Sequence, residues 1–511
     1  MKKLPIGIST FSKIRKDNSY IYVDKTKDAY NLIENYKFVF LSRPRRFGKS
    51  LFLDTLQEIF EGNKKLFNGL YIYNKWDWEN KYPVIKLSFG GNRDINELKR
   101  GIFDILELNQ EYLDIKCKSV DDYAICFADL IRKTYKKYGK EVVVLIDEYD
   151  KPIIDNLDQI EIAKESREVI KRLYTQIKEN ERYIKFAFLT GVSKFSKASI
   201  FSGLNNLEDI SLTPKFGTVC GYTQKDIESL FLPYLKGVDL EELQKWYNGY
   251  NFLSDRVYNP FDILLFIRND FKFKNYWFNT GTPSFLIKLF QKGNFNLAKF
   301  ENIKLKESLL NSFDIDKLNL ETIMFQSGYL TISQVIENRR RVDYILTYPN
   351  LETKISFNDY LLDYFIKNLT QKGEIQNNLI DILEESNLNQ LEITLKSLFA
   401  SIAYNNFTNN YIENYEGFYA SVIYAYFAGA GFDKIIAEDV TNSGRIDLSV
   451  FIDEKVYIFE FKIDQSGALK QIKERGYYQK YIDKYKDIYL VGVEFNSKSR
   501  SLVKCEWEKI Q

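Results

Sequence analysis

Apolar and polar positions alternate along the chain with two periods, and the change between them predicts the elements. Phe38 to Leu41 is a short apolar run of the kind a buried strand requires, and after a basic turn LFLDTLQEIF spaces its apolar residues as a helix does. A second compact strand is predicted at Val142 to Asp147 and a third at Lys185 to Gly191, with a long amphipathic helical stretch from about Ile160 to Lys178 between them. Strands alternating with helices predict an α/β fold: a mostly parallel sheet covered on both faces.

Beyond Leu212 the spacing turns helical, through KDIESLFLPYL and LEELQKWYNGY, and Pro260 opens a further helical run ending near Arg268. Between Gln334 and Phe357 alternation returns, with a turn expected at Pro349 and Asn350, which suggests a hairpin inside a largely helical region. The last hundred residues are again mixed. The expected organisation is therefore an α/β domain over 1–215, a helical lid over 216–335, a mainly helical connector with a hairpin over 336–410, and a C-terminal α/β domain over 411–511.

Composition changes this picture chiefly by exclusion. A chain of 511 residues, 45% hydrophobic, can bury several cores, and 72 Lys and Arg against 70 Asp and Glu leave a net charge of +2, so any contact with a polyanion must be a local patch. Histidine is absent. Catalytic triads, HExxH zinc sites and histidine-based nucleases are thereby excluded, leaving carboxylates, Lys, Arg, hydroxyls and hard metals such as Mg²⁺. Cys117, Cys126, Cys220 and Cys505 show neither metal-ligand spacing nor a disulfide framework, so a reducing, cytoplasmic setting is expected. The longest apolar runs fall far short of the roughly 20 residues that cross a bilayer, so neither an export signal nor membrane association is expected.

The turn after the first strand reads Arg43-Pro44-Arg45-Arg46-Phe47-Gly48-Lys49-Ser50. In the general pattern GxxxxGK[ST], backbone N–H groups wrap phosphates, the lysine reaches the β and γ oxygens and the hydroxyl binds Mg²⁺. Gly48, Lys49 and Ser50 fill the last three places, whereas Arg43 replaces the first glycine and Pro44 lacks an N–H. A chance helix start would explain GKS alone. It does not explain Asp147 and Glu148 ending the next apolar strand, because burying carboxylates there is costly without a cation or water to meet. The expected division of labour is Asp147 on the water shell of the metal and Glu148 on the attacking water. Thr190 and Ser193, after the third strand, are candidate sensors of the γ-phosphate, with ordinary loop hydroxyls the competing reading.

A second constellation lies in SGRIDLSVFIDEKVYIFEFKI. Asp447 is predicted on one strand, with Glu460 and Lys462 on the next and two residues apart, so on one face. Two carboxylates can hold Mg²⁺, and a lysine can orient water and offset phosphate charge. The flanking helical stretches could deliver Glu416 and Gln471 to the same place. Arg339, Arg340 and Arg341 form a basic turn that could meet a phosphate backbone, although solvated turn charges are the commoner case.

FSKIRKDNSYIYVDKT, LSRPRRFGKS, FEGNKKLFNGLYI, LIDEYDKP, LTGVSKFS, WYNGYNF, YNPFDIL, NTGTPSFL and FQSGYLTI together resemble the AAA-ATPase-like family whose members carry a C-terminal PD-(D/E)XK nuclease-like domain. In that family RPRRFGKS is the usual phosphate loop. The resemblance implies ATP held by Arg43 to Ser50 with Asp147 and Thr190, with Mg²⁺ on Ser50 and Asp147. It also implies a restriction-endonuclease-like cluster of Glu416, Asp447, Glu460, Lys462 and Gln471, with Mg²⁺ or Mn²⁺ on Asp447 and Glu460. Nucleic acid, DNA more than RNA, is the implied partner, and room is left for a homo-oligomer. Three readings stay open: an ATPase coupled to a nuclease, an ATP-dependent switch whose C-terminal domain binds nucleic acid or protein without cutting, and a nuclease whose ATP is bound but not turned over.

Overall fold

The computed structural model describes residues 1–90, 94–118, 121–195, 200, 204, 206–280, 286, 297–310, 315, 319–339, 341–366, 369–402, 416–432 and 434–511. The chain divides into two compact units interleaved in sequence: residues 1–277 with 304–345, and residues 278–303 with 346–511.

The first unit is built on five parallel strands in the order β2-β3-β4-β1-β5: β1 (Phe38–Ser42), β2 (Val84–Ser88), β3 (Val142–Asp147), β4 (Ile184–Gly191) and the short β5 (Glu208–Asp209). Every residue of β3 is buried, as a strand covered on both faces requires. The helices α1 (Thr26–Asn35), α2 (Lys49–Phe60), α3 (Ile95–Leu113), α4 (Tyr123–Tyr138) and α5 (Ile160–Glu179) pack around this sheet. The core on one side joins Val39 and Leu41 of β1 to Phe52, Leu56 and Ile59 of α2 and to Val143 and Leu145 of β3. Each strand and helix predicted here from periodicity is present within a residue or so. Beyond β5 come a short antiparallel pair, β6 (Tyr222–Thr223) and β7 (Val257–Tyr258), and the helices α6 (Leu240–Tyr247), α7 (Pro260–Arg268) and α8 (Leu320–Ser327). Asn259 starts α7 by accepting the Phe261 N–H at 2.9 Å, and Pro260 costs nothing at the first helical position because no bond is expected of its nitrogen there.

Two expectations are corrected. Alternation between Gln334 and Phe357 does mark neighbouring strands, but these are β9 (Thr331–Asn338) and β10 (Arg341–Thr347), beside β8 (Ile303–Lys306), so the break between them falls well before Pro349. Pro349 and Asn350 lie outside the strands: the Asn350 side chain accepts the Thr353 N–H at 3.0 Å and so caps a helix, α9 (Leu351–Phe365). The second correction concerns cysteine. Cys117, in the link from α3 to α4, and Cys126, in the first turn of α4, form a disulfide, while Cys220 and Cys505 are free and buried. A spacing of nine residues carried no recognisable framework; the fold supplied the approach by turning α4 back along α3.

In the second unit α9, α10 (Leu369–Glu384), α11 (Leu388–Ala400) and α12 (Glu416–Ala430) accompany a mixed sheet in simple order, β11 (Lys434–Val440), β12 (Arg445–Ile452), β13 (Lys455–Ile463), β14 (Asp487–Asn496) and β15 (Ser501–Lys509). Only β13 and β14 run parallel, and the crossover between them contains α13 (Ala468–Arg475). Both faces of β13 are covered. Val456 and Ile458 pack with Ile472 of α13, while the ring of Phe459 meets Phe427 of α12 at 5.4 Å. Among the described residues no helix is long and apolar enough to cross a membrane.

Candidate functional site

The loop between β1 and α2 obtains its curvature at places other than the missing glycine. Its left-handed residues are Arg46 (φ 68°) and Gly48 (φ 96°); Arg43 has an ordinary backbone, so a side chain is tolerated there. Arg45 and Arg46 are exposed on the outer side of the loop, with the Arg46 guanidinium over the ring of Phe261. Phe47 turns inward against Tyr250. The buried Lys49 ammonium donates to the carbonyls of Arg43 (3.0 Å) and Pro44 (2.9 Å). Pro44 therefore contributes an acceptor even though it has no N–H.

Across the sheet, Asp147 faces the Ser50 hydroxyl and the Lys49 charge, both of which favour its ionised form. The Glu148 N–H donates to it, at 3.0 Å. Burial pushes the Asp147 carboxyl above its ordinary range despite these partners, and burial pulls the Lys49 ammonium down against the attraction of Asp147. Each group of this pair thus lacks the water that would support its charge, which is the condition a divalent ion and a polyphosphate together would relieve. Glu148 has left-handed backbone (φ 51°), a costly conformation for a non-glycine residue, and its side chain is half exposed beside Lys151 at 3.1 Å.

The remaining candidates are held by the protein itself. Thr190 is fully buried and its hydroxyl donates to the Leu41 carbonyl at 2.9 Å, joining β4 to β1. Ser193 donates to Asp150 at 2.6 Å. Sequence reasoning passed over Asp150. It is buried and also accepts the N–H groups of Val192 (3.0 Å) and Ser193 (2.6 Å), so it ties the end of β3 to the loop leaving β4. Its signal was a third acid within LIDEYD, three residues past the strand end. Arg43, expected among the phosphate contacts, has its guanidinium in the interior: it is 1% exposed and donates to four backbone carbonyls.

In the second unit β12 and β13 pair as far as Leu448 and Phe459, and one residue further the Asp447 carboxylate accepts the Phe461 N–H at 2.7 Å. Asp447 is thereby set beside Glu460. Glu460, 2% exposed, takes a hydrogen bond from the Gln471 amide, and the Lys462 ammonium stands 3.6 Å from the same carboxylate. Four of the five expected residues thus converge. Glu416 occupies the first position of α12, but its side chain lies outside the described atoms. Arg340 lies outside the described residues altogether; Arg339 is exposed, and Arg341 pairs with the buried Asp343 at 3.3 Å.

Gln471 reaches Glu460 because α13 lies directly on β14. Gly492, opposite Glu460 in the register, leaves room for the Leu469 backbone, and Glu494, opposite Lys462, accepts the Gly467 N–H at 2.6 Å at the start of the helix. Glu494 was another residue that sequence reasoning missed. Like Glu460, it is a carboxylate inside an apolar strand, in this case IYLVGVEFN, and that was its signal.

A hydroxyl with one carboxylate at the first place, and two carboxylates with an adjacent lysine at the second, are oxygen donor sets suited to Mg²⁺, which keeps several waters and needs few protein ligands. Among the described residues no three Asp, Glu, Cys or His side chains gather as a metal cage.

A parallel sheet of this strand order with a GKS turn after β1 and acids ending β3, followed by a mixed sheet presenting D and E-x-K side by side, defines a class: an AAA-ATPase-like protein with a C-terminal PD-(D/E)XK domain. Residues 5–201 match the family described as "Predicted AAA-ATPase", and residues 414–507 match the PD-(D/E)XK nuclease superfamily. The chain is 46% identical over 508 residues, 98% of each chain, to the "Uncharacterized protein in vnfD 5'region" of Azotobacter chroococcum mcd 1, and belongs to the same AAA-ATPase-like, PD-(D/E)XK family. No solved structure matches it.

Proposed function

We propose that the chain binds and hydrolyses ATP at the loop from Arg43 to Ser50, and that this step governs Mg²⁺-dependent phosphodiester cleavage of nucleic acid, DNA more than RNA. Lys49 and Ser50 would bind the β and γ phosphates and Mg²⁺, Asp147 would orient the water shell of the ion, and Glu148 would polarise the attacking water. In the C-terminal domain Asp447 and Glu460 would hold Mg²⁺ or Mn²⁺, Lys462 would orient water and offset phosphate charge, and Gln471 would fix the Glu460 carboxylate. The bound ion would supply charge neutralisation and a more acidic water. The domain roles follow: 1–215 for the nucleotide, 216–335 as a lid, 336–410 as connector and 411–511 for cleavage.

The observation that carries this reading is the convergence of Asp447, Glu460, Lys462 and Gln471 on adjoining strands and a helix drawn from 25 residues of sequence. Burying Glu460 among apolar side chains gains nothing for packing, but it suits a metal ligand. The purified full chain should cut single- or double-stranded DNA with Mg²⁺ or Mn²⁺, with a rate that changes on adding ATP. Glu460→Ala and Lys462→Ala should each lower that rate at least ~100-fold, as expected for residues acting on the reacting phosphate. Equal cleavage by wild type and both variants would remove the nuclease assignment.

A further inference from the structure

The general phosphate loop begins with glycine; this one begins with a buried arginine whose side chain points away from the loop. The Arg43 guanidinium donates through Nη1 to the carbonyls of Ser42 and Ser211, both at 2.8 Å, and through Nη2 to those of Phe216 (3.0 Å) and Gly217 (3.4 Å). Its carbon centre stands 3.9 Å above the ring of Phe252. The backbone of the same residue is equally occupied. Its N–H donates to the Gly191 carbonyl at 3.1 Å, at the end of β4, and its own carbonyl receives the Lys49 ammonium. Arg43 thus joins the lysine of the loop, the end of β4 and the Ser211–Gly217 segment after β5.

Such a cation lies at an unusual place, because burying a guanidinium without a carboxylate is costly unless its donors find oxygen or a ring face; both Nη nitrogens do, and among the described residues only Nε is left without a partner. The carbonyl directions here meet the fork of arginine. Lysine has one ammonium and could not span acceptors on Ser42, Ser211 and Phe216 together while also lying flat on Phe252.

We propose that Arg43 is a positioning residue of the nucleotide site, an internal strut that holds the loop in its phosphate-binding curve and does the work that the first glycine does in the general pattern. It acts through the loop backbone and Lys49, not by touching phosphate. The inference rests on the reading of Arg43–Ser50 as a phosphate loop.

Its test is a substitution that restores the general pattern. Arg43→Gly recreates GxxxxGKS; were the loop an ordinary one, Mg²⁺-ATP would bind as in wild type or better. The strut predicts at least a tenfold rise in the Kd for Mg²⁺-ATP by titration calorimetry on the full chain, and a comparable rise for Arg43→Lys, which keeps the charge. Phe252→Leu, which keeps an apolar side chain and leaves every carbonyl acceptor in place but removes the ring face, should weaken ATP several-fold and remains informative if the arginine variants fail to fold. Adenosine, which has no phosphate for the loop to hold, should bind all folded variants with unchanged affinity, an outcome a general structural defect would not give. ATP binding within twofold of wild type in the folded Arg43 variants, or in Phe252→Leu if those do not fold, would overturn the strut. Lys49→Ala run alongside separates the failures: if that variant also binds ATP normally, the phosphate loop itself is misread, whereas its loss of ATP beside an unaffected Arg43→Gly sinks only this inference.

Discussion

At the level of single residues, the nucleotide site is built from charges that water no longer supports. Asp147 faces the Ser50 hydroxyl and accepts the Glu148 N–H beside Lys49, yet burial still raises its pKa above the ordinary 3.8. A raised folded pKa means that the folded chain holds this proton more tightly than the unfolded chain. The stability contributed is complete below the unfolded value and is lost as pH rises through the folded one. Asp147→Asn should accordingly be more stable than wild type without nucleotide at pH 7 to 8, with the difference shrinking towards pH 4, as denaturant titrations across that range would record. The same variant should lose the stabilisation that Mg²⁺-ATP confers, about 2.7 kcal/mol at a hundredfold excess over Kd. Asp150, raised by the same burial, keeps its own share of the pH dependence.

The residue scale also shows where the sequence was readable. Glu460 and Lys462 stood out because a carboxylate within an apolar strand needs a reason, and a separation of two residues puts both side chains on the same face of any strand. Arg43, Thr190 and Ser193 were placed near the phosphates by chain position alone. Which way a side chain turns depends on acceptors far away in sequence, here Ser211 and Phe216 for Arg43, Leu41 for Thr190 and Asp150 for Ser193.

Among the elements, α13 carries the sharpest prediction. It delivers Gln471 to Glu460 only while its first turn rests on β14 at Gly492, where an added Cβ would collide with the Leu469 backbone. A backbone cannot yield as a flexible side chain can. Gly492→Ala should therefore destabilise the chain by ~1–3 kcal/mol, the usual cost of overpacking, and lower DNA cleavage at least ~10-fold by drawing Gln471 away from Glu460. Denaturant unfolding and a cleavage assay on the same preparation check both parts. Periodicity located α13 itself, but the landing point was hidden, because the crossover from β13 to β14 sets it and no local pattern records that pairing.

Over the whole molecule, the two candidate sites belong to different compact units, each with its own sheet and core. Substitutions in one should then be additive with those in the other at the level of binding. Lys49→Ala is expected to abolish ATP binding while leaving the Mn²⁺ affinity of the full chain at Asp447 and Glu460 within about twofold, a margin below the ~0.5 kcal/mol at which additivity is judged. Lys462→Ala is expected to leave ATP binding equally unaffected. Parallel titrations of both ligands against both variants decide it, and cross-effects larger than this would show that the two sites share more than a chain.

The order of strands and helices, the lack of histidine chemistry and the identity of the charged groups at each strand end were set by the linear chain, because hydrophobic period and residue type are local properties. Tertiary structure alone decided that Arg43 faces inward, that Cys117 meets Cys126, that β9 ends at Asn338 and β10 begins at Arg341 well before Pro349, and that Gly492 and Glu494 seat the helix bearing Gln471. Each of these depends on which distant backbone oxygen, sulfur or strand comes to lie alongside, and the energy of such an encounter is undefined until the fold has brought the partners together.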